Sequence, residues 1–359
     1  MRARRMDAEG KGYAWVAGKL RTSIAAGEVP AGVALPSTKQ IGSEYGVSSE
    51  TARRAAKQLE AEGLLVSEPR QGFRVMARAN DPDRGLPIAF VVSATEQAGL
   101  WDEFYRTLFA GLQKAATDRG WSLLAVGAGT RSGREVMAQL RDCRVCGLVL
   151  DTMNAELLAA VTALGLPVVM MDSWQVDMRL DAVVQDSFQG ALLATRHLIG
   201  QGHERIGWLG PIAESTQSQE RFGGVAAGVA AAGLKSNPEF MRDSSLPEFN
   251  AVARKMLTHR DRPTAVLGLW YGAVKTLVQT ALELGLKPGR DVEIVGWTPE
   301  ENYAGSYRAL FKPGCVPPTM VWSMAELTRM TIERLAERRL KPGLSPALIK
   351  IPARLKSSE

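Results

Sequence analysis

Short apolar runs of β-type residues alternate with helical stretches from about residue 86 onward, and this alternation constrains the fold more than any other feature of the sequence. Runs such as IAFVVS, CGLVLD and LPVVMMD come first, and RIGWLG, TAVLGLW and VEIVGW follow. Strands that are connected through helices form parallel sheets with helices on both faces. The region is therefore predicted to be α/β, with two lobes that each contain a parallel sheet. Ligands of such sheets bind beyond the carboxyl ends of the strands, so we expect a site in the cleft between the lobes.

The first 78 residues follow a different pattern. Apolar residues recur at helical spacing in KGYAWVAGKLRTSIAAG, Ser37 is placed to cap a short second helix, and Ser48 precedes a third helix, SETARRAAKQLEAEG. The third helix presents Arg53, Arg54 and Lys57 on one face. LLVSEPRQGFRVMA then predicts a β-hairpin with basic residues at its tip. Three helices followed by such a hairpin are typical of a winged helix-turn-helix that reads the major groove of DNA.

The distribution of charge supports this prediction. The chain of 359 residues has a formal net charge of +6, and residues 1–79 hold 13 Lys/Arg against 8 Asp/Glu, which places +5 of that charge in the N-terminal region. Neutralising phosphates and releasing their counterions supplies much of the affinity of proteins for DNA. Double-stranded DNA is therefore the expected partner of this region.

The sequence contains no apolar run of signal-peptide or membrane-spanning length, and its three cysteines do not suggest a disulfide framework. We therefore expect a cytoplasmic protein that does not bind a membrane.

The N-terminal region resembles the GntR family of regulators over about 65 residues. The family's motifs are matched by residues 26–30, 35–37, 46–48, 51–55 and 59–65, followed by Gly72 and Val75. The resemblance implies DNA contacts from the second helix, the third helix and the wing. The expected residues are Lys39, Ser48, Ser49, Thr51, Arg53, Arg54, Arg70, Gln71 and Gly72. Ser49 stands where the family often has arginine, and Glu50 adds a negative charge near the phosphates, so the base preference is expected to differ from the commoner operators. For Arg53 and Arg54 the alternative is a role as ordinary solvated charges of a helix.

Nearly all of residues 86–352 resembles the effector domain of the LacI family, which is built like periplasmic sugar-binding proteins. The matching segments are residues 146–150, 166–172, 184–211, 219–224 and 292–297. The resemblance implies that Arg221 binds the effector in the cleft, where its five-donor fork suits hydroxyls or a carboxylate, and that Asp186 opens a helix near the same cleft. Each of the two residues has an alternative role as a helix cap or a surface ion pair.

Two departures from the LacI pattern concern the ligand. Trp270-Tyr271 replaces a usual Asn-Asp pair, and Gly296-Trp297-Thr298-Pro299 replaces a segment that usually contains aspartate, so two common acceptors of sugar hydroxyls are missing. Four tryptophans follow the ends of predicted strands instead: Trp101, Trp174, Trp270 and Trp297. Aromatic faces stack on sugar rings, bases or cations, which predicts a larger glycoside or a planar molecule as the ligand. The alternative for each tryptophan is a place in the core.

The expected domains are a winged helix-turn-helix over residues 1–78, a linker over 79–87 and an effector-binding domain over 88–359. Within the effector-binding domain, the first lobe is expected to comprise about residues 88–200 and 319–340, and the second lobe about residues 201–318 and 341–359.

Catalytic and metal-binding patterns are missing from the sequence. His197, His203 and His259 have no ligand or triad spacing, and Cys143 and Cys146 form a C-x-x-C without a second pair, so we expect no enzyme, metal site or cofactor. A pyridoxal-phosphate enzyme would contain a Schiff-base lysine motif, which this sequence lacks. A periplasmic carrier would not contain the winged helix that this sequence predicts.

The sequence therefore predicts a homodimeric regulator, a repressor by family expectation, whose affinity for operator DNA is controlled by a small-molecule effector in the cleft. A regulator that has lost its ligand and responds to a protein partner remains the open alternative.

Overall fold

The computed structural model describes residues 12–25, 28–30, 32–68, 72–76, 86–92, 103–129, 131–152, 154–174 and 179–357. The chain divides into two compact units: one runs to Leu86 and includes Asp118–Trp121, and the other comprises Pro87–Thr117 and the residues from Ser122 onward. Within these described ranges, no helix is long and apolar enough to cross a membrane.

The N-terminal unit contains three helices and a hairpin: α1 (Tyr13–Ala25), α2 (Thr38–Tyr45), α3 (Ser49–Ala61), β1 (Leu65–Glu68) and β2 (Gly72–Val75). The two strands pair antiparallel, with Leu65 opposite Val75. Residues 32–35 extend the hairpin, because Leu35 N donates to Phe73 O and Val75 N donates to Val33 O. The predicted winged helix-turn-helix is therefore confirmed, and its wing contains one more extended stretch than the sequence suggested.

Local signals define the turn between α2 and α3. Ser37 Oγ accepts a hydrogen bond from Gln40 N, and the Gln40 side chain accepts one from Ser37 N, so the pair forms a capping box. Gly46 ends α2 in the left-handed conformation with φ of 70°. Gly42 lies so close to the next segment that a Cβ atom there would be 2.8 Å from Val47 O. The two helices can therefore approach only because glycine occupies this position.

The second unit alternates strands and helices along the chain. Its elements are β3 (Pro87–Val92), α4 (Glu103–Asp118), β4 (Ser122–Gly127), α5 (Gly133–Asp142), β5 (Gly147–Asp151), α6 (Ala155–Thr162), β6 (Val168–Met171), β7 (Asp181–Gln185), α7 (Ser187–Gly200), β8 (Ile206–Leu209), α8 (Thr216–Ala231), α9 (Phe249–Thr258), β9 (Ala265–Gly268), α10 (Tyr271–Glu283), β10 (Glu293–Pro299), α11 (Glu300–Asn302), β11 (Thr319–Trp322), α12 (Met324–Leu340), β12 (Leu348–Ile351) and β13 (Arg354–Lys356). Short helical turns lie at Leu246–Glu248, Tyr303–Tyr307 and Arg308–Leu310.

These strands form two sheets, one in each lobe. The sheet of the first lobe has the order β12-β7-β6-β5-β3-β4, and all its pairs are parallel. The sheet of the second lobe has the order β13-β11-β10-β9-β8 and is parallel apart from β13, which runs antiparallel to β11. Strands such as β6 and β8 are buried along their whole length, as expected for parallel sheets covered on both faces. The predicted two-lobed α/β architecture is confirmed.

The chain crosses between the lobes at other points than the sequence suggested. β11 was expected in the first lobe, within 319–340, but it pairs with β10 in the second. β12 was expected in the second lobe, within 341–359, but it pairs with β7 in the first. Helix α7, expected in the first lobe, packs against α8 and contacts β11 and β13 of the second. An apolar strand fits either sheet by its pattern alone, so the partner strand, which lies far away in sequence, decides the lobe.

Helix α12 is attached to the first lobe through Asp181 at the start of β7. Asp181 accepts hydrogen bonds from Arg334 Nε at 2.8 Å, from Arg338 Nε at 2.6 Å and from Ala347 N at 2.9 Å. Asp181 is 1% exposed. Burial alone would raise its pKa, but the hydrogen bonds from Arg338 and Arg334 hold the pKa below its usual value.

We expect Asp181→Ala to lower the free energy of unfolding by about 3 kcal/mol or more, because it removes the buried carboxylate that Arg334 and Arg338 share and leaves Arg334 only Glu337 as a counter-charge. Urea denaturation followed by circular dichroism measures the loss. Glu239→Ala is the control, since the ion pair of Glu239 and Lys255 is exposed to solvent and should contribute little to stability. Equal losses in the two variants would contradict the anchoring role of Asp181.

Candidate functional sites

The exposed face of α3 carries three basic residues that differ in their contacts. Arg53 is exposed and, within the described residues, has no hydrogen-bond or ion-pair partner. The guanidinium carbon of Arg54 lies 4.8 Å from the ring centroid of Tyr13, and Lys57 Nζ lies 2.6 Å from Glu60 Oε2. Arg53 is therefore the arginine of this face that is most available to an external anion.

The polar residues predicted beside this face lie at the start of α3 and on α2. Ser48 caps α3 by accepting from Thr51 N, and the two hydroxyl oxygens are 2.8 Å apart, so both side chains already take part in the cap. Ser49 and Lys39 are exposed. In the wing, Gly72 begins β2 with φ of 86°, whereas Arg70 and Gln71 lie outside the described residues.

The second unit contains a cavity of about 560 Å³ at the carboxyl ends of strands from both sheets. The first lobe contributes Glu103, Phe104, Tyr105, Asp151, Asp172 and Gln185. The second lobe contributes Gln217, Arg221, Trp270, Tyr271, Trp297, Thr298, Pro299, Asn302, Ser306, Tyr307, Leu310 and Trp322. The site expected between the lobes is therefore present as a cavity of the size that binds small molecules.

Arg221 lies in the wall of this cavity and is 5% exposed. Its Nη2 donates to Gln185 Oε1 at 2.7 Å, its Nε donates to Ser187 Oγ at 3.4 Å, and its Nη1 donates to Leu269 O. The guanidinium stacks on Trp297 with its carbon 4.1 Å from the ring centroid. Burial lowers the pKa of Arg221 to about 9, so the group is charged at neutral pH.

Gln185 connects the two lobes at this wall. Its Oε1 accepts hydrogen bonds from Arg221 and from Trp297 Nε1, the latter at 2.6 Å, and both donors belong to the second lobe. Its Nε2 donates to Asp172 Oδ1 of the first lobe at 2.8 Å. One amide at the crossover between the lobes therefore satisfies a buried cation, an indole and a carboxylate.

Three carboxyl groups of the first lobe, those of Glu103, Asp151 and Asp172, line the cavity, and two of them have raised pKa values. Burial and the neighbouring charge of Asp172 raise the pKa of Asp151 to about 7, against a hydrogen bond from Tyr105. Burial raises the pKa of Asp172 to about 6, although hydrogen bonding from Gln185 and the charge of Arg221 oppose the shift. Asp172 also has a left-handed φ of 54°, a conformation that is uncommon outside glycine. Both shifts favour a partly protonated pair near neutral pH.

Comparison with protein-family models identifies the second unit. Residues 88–324 match the model of periplasmic binding proteins and the sugar-binding domain of the LacI family, and residues 13–75 match that of bacterial regulatory proteins of the gntR family. The chain belongs to the first of these families. It is a regulatory protein that joins a gntR-type DNA-binding head to a LacI-type effector domain.

Curated relatives are transcription repressors. A "Ribose operon repressor" from Haemophilus influenzae is 25% identical over 283 residues, which are 76% of this chain and 82% of the relative. An "HTH-type transcriptional repressor PurR" from Photobacterium profundum is 28% identical over 204 residues, which are 54% of this chain and 60% of that protein. The chain thus covers less than two thirds of that PurR.

Solved structures share the fold of the effector domain. A candidate ribose operon repressor from Burkholderia thailandensis superposes with a TM-score of 0.64 at 25% identity, covering 77% of this chain and 100% of that one. The transcriptional regulator CelR in complex with cellobiose gives a TM-score of 0.66 at 19% identity, covering 90% of this chain and 98% of CelR, and shows the fold alone.

Of the six residues predicted to bind the effector, Arg221, Trp270 and Trp297 line the cavity of the effector domain. Asp186 does not line it, because its carboxylate caps α7 by accepting from Gln189 N and lies 3.7 Å from Lys350 Nζ. Trp174 does not line it either and packs against the core of the first lobe. A position after a strand end therefore did not suffice for Trp174, and a position at the start of α7 did not suffice for Asp186. Trp101 lies outside the described residues.

The sequence analysis missed several residues that line the effector cavity, among them Asp151, Asp172, Gln185 and Asn302. Asp151 and Gln185 are the last residues of β5 and β7, and Asp172 directly follows β6. Polar residues at the carboxyl ends of parallel strands were therefore the signal that could have identified these three. Asn302 follows β10 in a short helix, α11, that the sequence pattern did not indicate.

We expect Gln185→Ala to lower the free energy of unfolding by about 2 kcal/mol or more, because Arg221 and the Trp297 indole each lose a buried acceptor. The loss can be measured by urea denaturation. Gln189→Ala is the matched control, since Gln189 is exposed on the first turn of α7. A Gln185 variant as stable as the Gln189 variant would contradict the role of this amide.

Proposed function

We propose that the protein is a repressor that binds operator DNA through α3 and its wing, and that a small molecule in the effector cavity controls this binding. The cavity at the carboxyl ends of both sheets is the observation that carries the proposal, because a ligand there contacts both lobes. The relatives named as repressors support the same function.

The proposed DNA-binding surface comprises Lys39, Ser48, Ser49, Thr51, Arg53, Arg54, Arg70, Gln71 and Gly72. Arg53 and Lys39 are exposed charges without internal partners among the described residues, so DNA phosphates or bases would be their first anionic or acceptor partners. Ser48 and Thr51 are expected to contribute through the N-terminus of the helix that they cap, where the backbone N–H groups favour a phosphate.

The protein is proposed to act as a homodimer. Each chain has one recognition helix, α3, and two copies related by a twofold axis would read two half-sites in successive major grooves. A ligand that binds one arrangement of the lobes more tightly would change the spacing of the heads and so the affinity for the operator.

A regulator without a ligand is the less favoured alternative. The cavity wall contains a charged guanidinium, three carboxyl groups and three tryptophans, Trp270, Trp297 and Trp322, with Tyr307 beside them. A cleft that only transmits the binding of a protein partner would not need such a concentration of polar groups.

We expect Arg53→Ala to weaken binding to operator DNA by about tenfold, because loss of one direct contact to DNA costs about 1–3 kcal/mol. The operator would first be selected from random duplexes with the wild-type protein, and fluorescence anisotropy would then give the affinity. Arg141→Ala, which removes an exposed arginine from the end of α5, controls for net charge. Equal affinities for the two variants would exclude Arg53 from the interface.

We expect Trp270→Leu to weaken binding of the effector at least tenfold, because this half-buried ring lines the cavity and would lose its stacking on the ligand. A thermal-shift screen of sugars, sugar acids, glycosides and nucleosides identifies a ligand, and calorimetry then gives its affinity.

Trp174→Leu is the matched control, because Trp174 does not line the cavity and its loss should lower stability without changing the affinity of the folded protein. The same ligand is expected to change the anisotropy of labelled operator DNA. A ligand whose affinity falls equally in both variants would contradict the proposed site.

A further inference from the structure

The described residues that line the effector cavity carry more acidic than basic groups. Glu103, Asp151 and Asp172 are the carboxyl groups, and Arg221 is the one cation among those residues. Arg221 already donates to Gln185, Ser187 and Leu269 O and stacks on Trp297. Its charge therefore offsets part of the charge of Asp172 but leaves the cavity acidic as a whole.

Two further side chains of the cavity have polar atoms without a partner. Asn302 Oδ1 and Trp322 Nε1 make no hydrogen bond among the described residues, although Asn302 is 6% exposed and Trp322 is 2% exposed. Asn302 uses its amide nitrogen on Thr107, which leaves the acceptor oxygen unsatisfied. A buried polar atom that lacks a partner costs free energy, so these atoms indicate a ligand that supplies the partners. The carboxyl groups and Asn302 Oδ1 require donors, and Trp322 Nε1 requires an acceptor.

A protonated amine matches this set of groups. An ammonium group offers three donors and no acceptor, and it interacts favourably with ionised carboxylates and with the faces of aromatic rings. Phe104, Tyr105, Trp270 and Trp322 supply such rings in the cavity wall. A hydroxyl elsewhere on the same molecule would supply the acceptor for Trp322 Nε1.

We propose that the effector is a cationic amine that also carries a hydroxyl group, and that its ammonium is held by the carboxylates of Asp151 and Asp172. This inference rests on the proposed function, because it assigns the chemical class of the molecule that controls DNA binding.

Binding of a cation is expected to depend on pH. Asp151 has a pKa of about 7, accepts a hydrogen bond from Tyr105 and interacts with Asp172, and Asp172 has a pKa of about 6 with Arg221 beside it. The cation binds the ionised carboxylates and releases protons, so the affinity rises with pH. If Asp151 must ionise, the affinity rises roughly 20-fold between about pH 5.5 and about pH 7.5.

The test uses matched pairs of a cation and its uncharged counterpart: glucosamine with glucose, galactosamine with galactose, and ethanolamine with propan-1-ol. Calorimetry on the full chain at neutral pH gives the affinities. We expect at least one cation to bind at least about tenfold more tightly than its counterpart. Its affinity should rise with pH as long as the ligand itself stays charged.

Asp151→Asn and Asp172→Asn are expected to remove the preference for the cation. Asp142→Asn controls for net charge, because Asp142 is exposed at the end of α5, and it should leave the preference unchanged. Circular dichroism and affinity for the neutral compounds show whether the two cavity variants are folded.

The inference is overturned if none of the cations binds, or if each neutral compound binds as tightly as its charged partner. Neutral sugars that bind and change operator affinity would overturn the inference and leave the proposed function intact. If the wider screen also yields no compound that changes operator affinity, the proposed control by a small molecule fails as well.

Discussion

The buried guanidinium of Arg221 is the interaction on which the effector cavity depends. Removing a cation from water is costly unless its N–H groups are hydrogen-bonded, and Arg221 has three acceptors. These are Gln185 at the crossover between the lobes, Ser187 at the start of α7, and the Leu269 carbonyl beyond β9. The charge is satisfied only when all three acceptors hold their places, so a single side chain of α8 helps to fix the arrangement of both lobes around the cavity.

The aromatic walls of the cavity rely on two glycines. A Cβ atom at Gly190 would lie 2.5 Å from the Trp297 ring, and one at Gly296 would overlap the Tyr307 hydroxyl. Trp297 can therefore lie directly against the backbone of α7, where its indole reaches Gln185 and its face meets Arg221. The glycines of one element thus leave the space that the large rings of another element fill.

The sequence predicted those parts of the structure that depend on neighbouring residues. The caps at Ser37 and Ser48, the basic face of α3 and the strand-helix alternation are local patterns, and each led to the correct element. The lobe of β11 and of β12 depends on pairing with distant strands, which an apolar pattern does not encode. The same reason applies to the cavity: Trp174 and Trp270 both follow strand ends, but only the packing of the whole lobe decides which ring faces the cavity.

Through the hydrogen bonds of Gln185, a ligand bound beside Asp172 would affect the arrangement of the lobes. Its amide nitrogen donates to Asp172, while its oxygen accepts from Arg221 and Trp297 of the second lobe. An ammonium group beside Asp172 favours the ionised carboxylate, which is the better acceptor for this amide. The amide is then held more firmly in the orientation that satisfies Arg221, so the charge of the effector stabilises one arrangement of the lobes over others. A ligand shifts such an equilibrium only by its difference in affinity for the two states, and a cation acting through Asp172 provides that difference.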